Sequence, residues 1–292
     1  DQKGGLAAAV MALQALKDSG VPLAKGLGIA AVVDEESEHR GSYALVDDKL
    51  QAEFAVVTEP SDLRLITGCK GTVPARITVY GRQAHGSTPW LGVSAIEHAA
   101  RVIEALGRVQ TRSIDVPNVG QIEGSINVGL IQGGTAYNNV PDRCELWLDR
   151  RTVPGESQTT VLAEIQAILD DLAASDPDFG GEVSIDRPDW RWPRIRERGL
   201  NPAATLGDNR LSDALHEAHR QVTSQAVELG YNNGYLDMDF LVNDLSIPTL
   251  NYGPGHDALC HTDEERLSID HLLTAVQVYA LTALALCGAA GD

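Results

Sequence analysis

The sequence has 292 residues, of which 43% are hydrophobic and 22% charged, and its formal net charge at pH 7 is −18. This length is enough for two domains, because single hydrophobic cores rarely grow beyond ~250–300 residues. The negative charge would repel a phosphate backbone, which argues against nucleic acid as a partner. The longest apolar run, residues 276–287, is shorter than the ~20 residues of a membrane-spanning helix and predicts a buried C-terminal helix. We therefore expect no membrane partner.

The cysteines are spread over the whole chain and form no C-x-x-C motif. They are Cys69, Cys144, Cys260 and Cys287. A disulfide scaffold would be smaller and denser in cysteine, so we predict reduced thiols and a cytoplasmic protein. The sequence begins Asp-Gln-Lys-Gly-Gly without a methionine, which suggests that the chain is truncated at its N-terminus.

The first part of the chain alternates predicted helices and strands. Residues 6–16 have helical spacing, and residues 27–33 form a continuous apolar run typical of a strand buried on both faces. That run ends in Asp-Glu-Glu, and a second one, residues 54–57, ends in Thr-Glu-Pro. Because open α/β sheets build their sites at the carboxyl ends of strands, we expect these carboxylates to meet in one crevice.

The pattern changes after about residue 70, where apolar and polar residues begin to alternate. The predicted elements are strand 73–80, helix 94–106, strands 125–131 and 143–148, helix 159–174 and strand 182–186. This β-α-β-β-α-β order is that of the ferredoxin-like motif. The earlier alternation returns from about residue 211, with a strand at 249–252 and a final helix from residue 269.

The predicted fold class is therefore α/β, with a smaller domain inserted into a larger one. The catalytic domain, residues 1–68 and 194–292, should have a central, mostly parallel sheet with flanking helices. An α+β ferredoxin-like lid and dimerisation domain, residues 69–193, should interrupt it.

Three adjacent carboxylates, Asp34, Glu35 and Glu36, follow the first apolar run. They would repel one another in a poorly solvated crevice, and a divalent cation would stabilise them. Neighbouring residues point in different directions, so one carboxylate can bind a metal ion while the next accepts a proton from water. The alternative is an ordinary acidic surface loop. Glu59, before a proline, is likewise either a turn residue or a metal ligand.

Several histidines could complete such a site. His261 lies in a loop after a predicted strand, and His256 precedes it in the same loop. Either imidazole suits zinc. His216 and His219 lie about one helical turn apart but lack the H-E-x-x-H spacing of a metalloprotease helix.

Seven short motifs occur in the order found in one enzyme family. They are Asp1-Gln-Lys-Gly-Gly, Asp34-Glu-Glu, Thr58-Glu-Pro, Gly81-Arg-Gln-Ala-His-Gly-Ser-Thr-Pro, Asn138-Asn-Val-Pro, Asp149-Arg-Arg-Thr-Val-Pro-Gly-Glu and His261-Thr-Asp-Glu-Glu. Each is weak alone, but together they cover the chain. The sequence resembles the di-zinc metallopeptidase and deacylase family of aminoacylase, acetylornithine deacetylase, succinyl-diaminopimelate desuccinylase and glutamate carboxypeptidase.

The resemblance implies roles for the acidic residues and one histidine. Asp1 resembles the carboxylate that bridges two metal ions, and Glu35 resembles the general base. Glu36 and His261 resemble the ligands that complete one metal site with Asp1. Glu59 resembles a ligand of the other metal ion.

The resemblance also implies roles for residues of the predicted lid. His85 is similar to the histidine that the lid lends to the partner subunit's active site, where it stabilises the oxyanion. Asn138 and Arg151 are similar to residues that hold the substrate, with Arg151 at its carboxylate. A homodimer through the lid domain is therefore expected.

The sequence departs from the family in two places. The family's His-x-Asp motif before the bridging aspartate is absent, so the site with Asp1 and Glu59 lacks its histidine. Asp237 matches the family's Gly-Thr-Asp position, but Asp239 stands where the family often has arginine. The expected cofactors are two divalent metal ions, zinc or else cobalt or manganese, with the second site incomplete in this chain.

The function implied is metal-dependent hydrolysis of the amide bond in N-acyl amino acids. A dipeptidase or carboxypeptidase with the same metal core is the first alternative, acting on short peptides. A second alternative is an inactive fragment that only binds its ligand. The general base Glu35 favours catalysis for the parent protein, whereas the incomplete ligand set leaves an inactive fragment open for this chain.

Overall fold

The structure is a computed structural model that describes residues 1–187, 190–207 and 209–288. The α-helices are α1 (Lys3–Ser19), α2 (Arg40–Asp47), α3 (Ala95–Leu106), α4 (Gln158–Ser175), α5 (Pro193–Arg198), α6 (Arg210–Thr223) and α7 (Ile269–Cys287). The strands are β1 (Ala55–Val57), β2 (Leu65–Cys69), β3 (Gly71–Tyr80), β4 (Ala84–His85), β5 (Ser113–Val116), β6 (Gly120–Glu123), β7 (Ser125–Gly133), β8 (Asn139–Val140), β9 (Arg143–Thr152), β10 (Gly180–Ile185), β11 (Ala203–Ala204), β12 (Leu229–Asn232) and β13 (Thr249–Asn251). A π-helical turn, Phe240–Asp244, and two short 3₁₀ turns, Pro89–Leu91 and Asp257–Leu259, complete the regular structure.

The chain divides into two compact units. Unit 1 comprises Asp1–Cys69, Asp115–Gly120 and Ala203–Asp292, and unit 2 comprises Lys70–Ile114 and Gln121–Pro202. The structure places the return to unit 1 at Ala203 rather than at residue 194. The reason is local pairing, because the Thr72 N–H donates to the Leu200 carbonyl at 3.0 Å and so holds that stretch in unit 2.

Unit 1 contains a mixed sheet rather than the mostly parallel one predicted. The order is β1-β13-β2-β11, with β12 also pairing with β2. β1 with β13 and β12 with β2 are parallel pairs, whereas β13 and β11 run antiparallel to β2. Apolar side chains of β2, β13, α6 and α7 form its core, among them Leu65, Leu211, Leu215, Leu250 and Val278.

Helix α1 is positioned by a glycine in its first turn. A Cβ atom added at Gly5 would collide with the backbone oxygen and side chain of Thr58. The absence of a side chain therefore lets the start of α1 approach the chain that follows β1. This packing fixes Asp1 and Glu59 in the same region of unit 1.

Helix α7 begins at the N-cap Ser268, whose side chain accepts a hydrogen bond from the His271 N–H. Among the described residues it is the one helix long and apolar enough to cross a membrane by length and composition. It packs against α1 and α6, and Ala275, Val278 and Ala283 of this helix are buried. Of its apolar stretch, 22% is buried, so the helix is less enclosed than the buried C-terminal helix predicted from the sequence.

Residues 27–33, predicted as a buried strand, do not form one. None of residues 27–32 makes a backbone hydrogen bond within the described ranges, and Leu27, Ile29 and Val33 are 40%, 38% and 68% exposed. A strand exists only where a neighbouring strand completes its ladder. In the described residues, the adjacent β1 pairs with β13 alone.

Unit 2 has the predicted ferredoxin-like arrangement. The elements β3, α3, β7, β9, α4 and β10 follow the β-α-β-β-α-β order, and the antiparallel sheet has the order β10-β3-β9-β7. Alternate residues of β3 and β9 are buried with α3 and α4, including Val73, Ile77, Leu146, Val102 and Ile165. The opposite face of the sheet carries the polar residues of these strands, because side chains alternate along a strand.

Candidate metal centre

The acidic turn before α2 sends neighbouring carboxylates in different directions. Asp34 has a left-handed φ of 72°, and its carbonyl accepts hydrogen bonds from the backbone N–H groups of Ser37 and His39. This turn leaves the Glu36 side chain 62% exposed, whereas Glu35 is half-buried. The two acids therefore occupy different environments, as their separate predicted roles require.

Asp1, Glu36 and His261 converge in unit 1. The His261 Nε2 atom lies 2.9 Å from Glu36 Oε1 and 3.4 Å from Asp1 Oδ2. One ligand atom from each residue lies within 4.8 Å of the other two. His261 has a left-handed φ of 62°, a backbone conformation uncommon for residues other than glycine and often found at functional sites.

The donor set fits a divalent transition metal. One imidazole nitrogen and two carboxylates are the ligand types that zinc accepts, and three protein ligands leave a position open for water or substrate. The Nε2 atom of His261 lies close to both carboxylates, so the three residues could contact one cation. These three residues are therefore the ones that would hold a metal ion.

Glu35 lies beside this group in a setting that disfavours its charge. Burial, together with the neighbouring carboxylates Asp237, Glu59 and Glu36, raises the pKa of Glu35 to about 8. Desolvation and like charges both penalise the ionised form. In the absence of a metal ion, Glu35 is therefore protonated at neutral pH.

His39 and Asp237 form a second buried group with Glu35. Ligand atoms of the three residues lie within 4.8 Å of one another. The Nδ1 atom of His39 lies 2.8 Å from Asp237 Oδ1, and the Ser42 hydroxyl donates to Asp237 Oδ2 at 2.5 Å. His39 also packs edge-on against Tyr235 with a centroid separation of 5.1 Å. Sequence reasoning missed His39, although an imidazole three positions after Glu36 was the available signal.

Glu59 stands apart from both groups. It is 8% exposed, and burial raises its pKa to about 7, with the amino group of Asp1 opposing the shift. Among the described residues, neither compact set of possible metal ligands includes Glu59. The structure thus brings together Asp1, Glu36 and His261 from the predicted ligands and leaves Glu59 nearby as a buried acid.

The other histidines of unit 1 have different partners. His256 Nδ1 hydrogen-bonds to Asp62, and His219 Nδ1 lies 2.9 Å from the Tyr252 hydroxyl. Neither histidine belongs to the two ligand groups found in the described part of the chain. Burial raises the pKa of the Cys260 thiol to about 11, so this neighbour of His261 is protonated at neutral pH.

Two predicted functional residues meet in unit 2. β4 pairs with β8, placing His85 opposite Asn139, and the Gly86 N–H donates to the Asn138 carbonyl at 2.7 Å. The Ser87 backbone N–H donates to His85 Nδ1 at 3.1 Å. A neutral His85 therefore carries its proton on Nε2, because Nδ1 is the acceptor of that bond. The exposed ring presents a hydrogen-bond donor.

Arg151 lies on β9 in unit 2, and its Nε atom donates to Asp149 Oδ2 at 3.0 Å. Its side chain is 32% exposed. Burial and the nearby Arg151 charge lower the pKa of Lys70, so two cations lie close together at this end of the sheet. Lys70 was not singled out from the sequence, because lysine before a strand is common on protein surfaces.

The chain resembles amide-bond hydrolases along its whole length. Residues 67–177 match the family model of the peptidase dimerisation domain. The chain is 27% identical, over 95% of its length, to N-formyl-4-amino-5-aminomethyl-2-methylpyrimidine deformylase of Bacillus subtilis, covering 68% of that protein. It is 27% identical, over 99% of its length, to acetylornithine deacetylase of Myxococcus xanthus, covering 71% of it. Among the first curated relatives that it matches, the chain spans between 58% and 71% of their lengths.

The fold is also that of solved peptidases. The structure of aminopeptidase PepT from Bacillus cereus superposes with a TM-score of 0.77 at 21% identity, covering 98% of this chain and 71% of that one. At this level of identity the similarity establishes the fold alone.

Proposed function

Because this chain belongs to the M20 peptidase family of metal-dependent hydrolases acting on amide bonds, we propose that it hydrolyses the amide bond of N-acyl amino acids. The observation that carries the proposal is the convergence of Asp1, Glu36 and His261 within 4.8 Å of one another, with Glu35 next to Glu36. Ligands and a proton acceptor are thus available at one place in unit 1.

The chemistry divides between a metal ion and the chain's own acid. A divalent ion held by Asp1, Glu36 and His261 would polarise an amide carbonyl and make water more acidic. Glu35 would take the proton from the attacking water and return it to the leaving nitrogen. The nearby cation would favour the ionised form of Glu35, which is the form that accepts the proton.

We assign zinc as the metal ion, with cobalt or manganese as alternatives, because one imidazole and two carboxylates suit all three. A second ion would rest on Asp1 and Glu59. Two carboxylates are a weaker and less selective ligand set than three residues that include a histidine. The second site is therefore expected to be the weaker one in this chain.

For substrate binding, we propose that Arg151 pairs with the carboxylate of the amino acid, and Asn138 holds its acyl or amide group. The fork of an arginine matches a carboxylate in a bidentate geometry, and the nearby Lys70 adds positive charge. The Nε2–H of His85 is the donor that would stabilise the oxyanion. In this proposal His85 serves the active site of a partner subunit.

This arrangement requires a homodimer, and we propose that it forms through unit 2. β7 is an edge strand of its sheet, and Leu130 and Ile131 on it are 54% and 50% exposed. An apolar edge strand pairs readily with another strand, and the matching family model is a dimerisation domain. Ile131→Asp should shift the chain toward monomer in sedimentation velocity, whereas the exposed Gln110→Asp should not.

The four cysteines are free, which supports our proposal of a cytoplasmic location, where thiols stay reduced.

The test of function is an assay of the zinc-loaded chain against N-acetyl amino acids and dipeptides in parallel. Faster turnover of N-acetyl amino acids supports the deacylase, as do the two deacylating relatives from Bacillus subtilis and Myxococcus xanthus. Faster turnover of dipeptides would support the peptidase alternative. Binding of either ligand without turnover, at full metal occupancy, would support the binding-only alternative.

A further inference from the structure

The pair formed by His39 and Asp237 is buried beside the proposed metal centre and has no role in the chemistry described so far. Both residues are buried, at 4% and 7% exposure. Burying an imidazole and a carboxylate is costly unless each finds a hydrogen-bond partner, and here each is the partner of the other. Because a carboxylate can only accept, the Nδ1 atom of His39 carries a proton and donates it to Asp237 Oδ1, at 2.8 Å.

The second oxygen of Asp237 is engaged as well. The hydroxyl of the buried Ser42 donates to Oδ2 at 2.5 Å. Each oxygen of this carboxylate therefore has its own donor, and the two donors come from the same stretch of chain around the start of α2.

The His39 ring is held in place by its backbone and by aromatic packing. His39 has a left-handed φ of 56°, which is uncommon for a residue with a Cβ atom and persists only where the surroundings determine it. Its N–H donates to the Asp34 carbonyl at 2.7 Å. The ring packs against Tyr235 and Phe240, with centroid separations of 5.1 and 5.8 Å. The donor that faces Asp237 is thus fixed in direction.

Glu35 is the member of this group that the protein does not hold. One of its carboxyl oxygens lies within 4.8 Å of a ring nitrogen of His39 and of an oxygen of Asp237. Within the described ranges, no hydrogen bond restrains the Glu35 side chain. Its orientation therefore depends on what the neighbouring groups present to it.

We propose that His39 is a positioning residue for Glu35, because its hydrogen bond engages Oδ1 of Asp237 and leaves the Glu35 carboxyl directed toward the attacking water. Without the imidazole, Oδ1 would be a buried acceptor beside Glu35 with no donor. It would either repel the Glu35 carboxylate or share a proton with it, and both would displace Glu35. The inference rests on the proposed function, in which Glu35 is the general base.

Two substitutions of His39 separate positioning from packing. Asparagine and glycine both tolerate a left-handed backbone, and both remove the ring that packs against Tyr235 and Phe240. Only His39→Asn keeps an N–H donor close to the place of Nδ1. A packing role would therefore make the two variants alike, whereas a positioning role would make them differ.

We expect His39→Gly to lower kcat by roughly 10–100-fold, because a misplacement of ~1 Å can cost 10²-fold in rate. KM and zinc affinity should stay within a few-fold of the parent. His39→Asn should recover most of the lost kcat. His219→Asn is the matched control, since it removes another buried imidazole of unit 1 that lies outside both ligand groups, and it should leave kcat unchanged.

A double substitution tests whether His39 acts through Glu35. In a Glu35→Gln background the base is already lost, so adding His39→Gly should change kcat by less than ~3-fold, whereas independent effects would multiply. Crystal structures of the parent, His39→Gly and His39→Asn supply a readout that needs no turnover. The Glu35 carboxyl should move by ~1 Å or more in His39→Gly and stay in place in His39→Asn.

The proposal is overturned if His39→Gly and His39→Asn lose kcat equally, if the losses multiply in the double variant, or if Glu35 stays in place in His39→Gly. If His39→Gly fails to fold, Ser42→Ala replaces it, because it frees the other oxygen of Asp237. An unmoved Glu35 and an unchanged kcat in Ser42→Ala would then overturn the proposal. No turnover by the zinc-loaded parent would refute the proposed hydrolysis instead, and the position of Glu35 in the crystal structures would still decide the role of His39.

Discussion

The Nε2 atom of His261 lies 2.9 Å from Oε1 of Glu36, although the two residues are 225 positions apart in the chain. The contact joins the acidic turn before α2 to the loop before α7. Both sides of it carry left-handed backbone, at Asp34 and at His261 itself. Such strain persists only where the surrounding structure fixes it, and here it aims an imidazole at two carboxylates.

From this geometry we expect Glu36→Ala and His261→Ala to weaken zinc binding by ~100-fold or more, because even outer partners of metal ligands change affinity by 10–100-fold. Isothermal titration of the metal-free protein with zinc measures the effect. Asp263→Asn removes an exposed carboxylate two residues from His261 and should bind zinc as the parent does. Equal losses in all three variants would indicate non-specific charge rather than a built site.

The same titration gives the stoichiometry, for which we expect about one tightly held zinc per chain. Among the described residues, Asp1, Glu36 and His261 form an exposed group in which an imidazole nitrogen lies beside two carboxylates, whereas Glu59 lies outside it. Elemental analysis after dialysis against metal-free buffer checks the number. Two tightly held ions would implicate the second group, in which His39, Asp237 and Glu35 converge, and His39→Ala should then remove one of them.

Glu35→Gln should lower turnover by ~10²–10⁴-fold, the usual contribution of a general base, while leaving zinc affinity within a few-fold of the parent. Glutamine preserves the shape of the side chain and removes its proton acceptor. Turnover and metal content are measured on the same preparation, with Glu36→Ala as the comparison that loses both. Loss of zinc from Glu35→Gln to the same degree would mean that Glu35 is a ligand.

The sequence predicted those parts of the molecule that depend on local patterns. The ferredoxin-like order of unit 2 follows from strands and helices whose periodicity is clear, and Ser94 and Ser157 cap α3 and α4 where the helices were expected. The convergence of Glu36 with His261 was implied by the resemblance to the family. Residues 27–33 have the composition of a strand, but composition does not supply the neighbour that a strand requires.

Non-local pairing also explains why His39 was missed. Its partner Asp237 is 198 positions away, and the position of His39 three residues after Glu36 does not show by itself that the imidazole is buried and paired. Likewise, β13 and β11 run antiparallel to β2 because of the long connections between these strands. Apolar runs in the sequence do not predict the direction in which such connections return to the sheet.

That His85 acts in the active site of the partner subunit remains a prediction, which mixed dimers can test. His85→Ala should lower turnover by ~10²–10³-fold, the usual cost of losing one oxyanion donor. A dimer of one His85→Ala subunit and one Glu35→Ala subunit would contain one intact active site, so mixing the two inactive variants should restore part of the activity. Tagged subunits purified in tandem confirm that heterodimers form. Heterodimers as inactive as either parent would place His85 outside the partner's site.

The buried acids make the stability of the metal-free protein depend on pH in a defined direction. Glu35 has a pKa of about 8 in the folded chain against an ordinary value of 4.5, and Glu59 a pKa of about 7. Between about pH 4.5 and pH 8 the folded state therefore binds more protons than the unfolded state. Where the folded state binds more protons, the free energy of unfolding falls as pH rises, by up to ~1.4 kcal/mol per pH unit for each proton.

We therefore expect urea unfolding in the presence of a chelator to show decreasing stability from pH 5 to pH 8. Glu35→Gln cannot ionise and should flatten this dependence, whereas Glu264→Gln, an exposed acid in the loop before α7, should leave it unchanged. Zinc should oppose the trend, because a nearby cation favours the ionised carboxylates. If the free energy of unfolding of Glu35→Gln falls with pH as steeply as that of the parent, the pH dependence comes from Glu59 or from the general negative charge of the chain. The same series with Glu59→Gln separates these two causes.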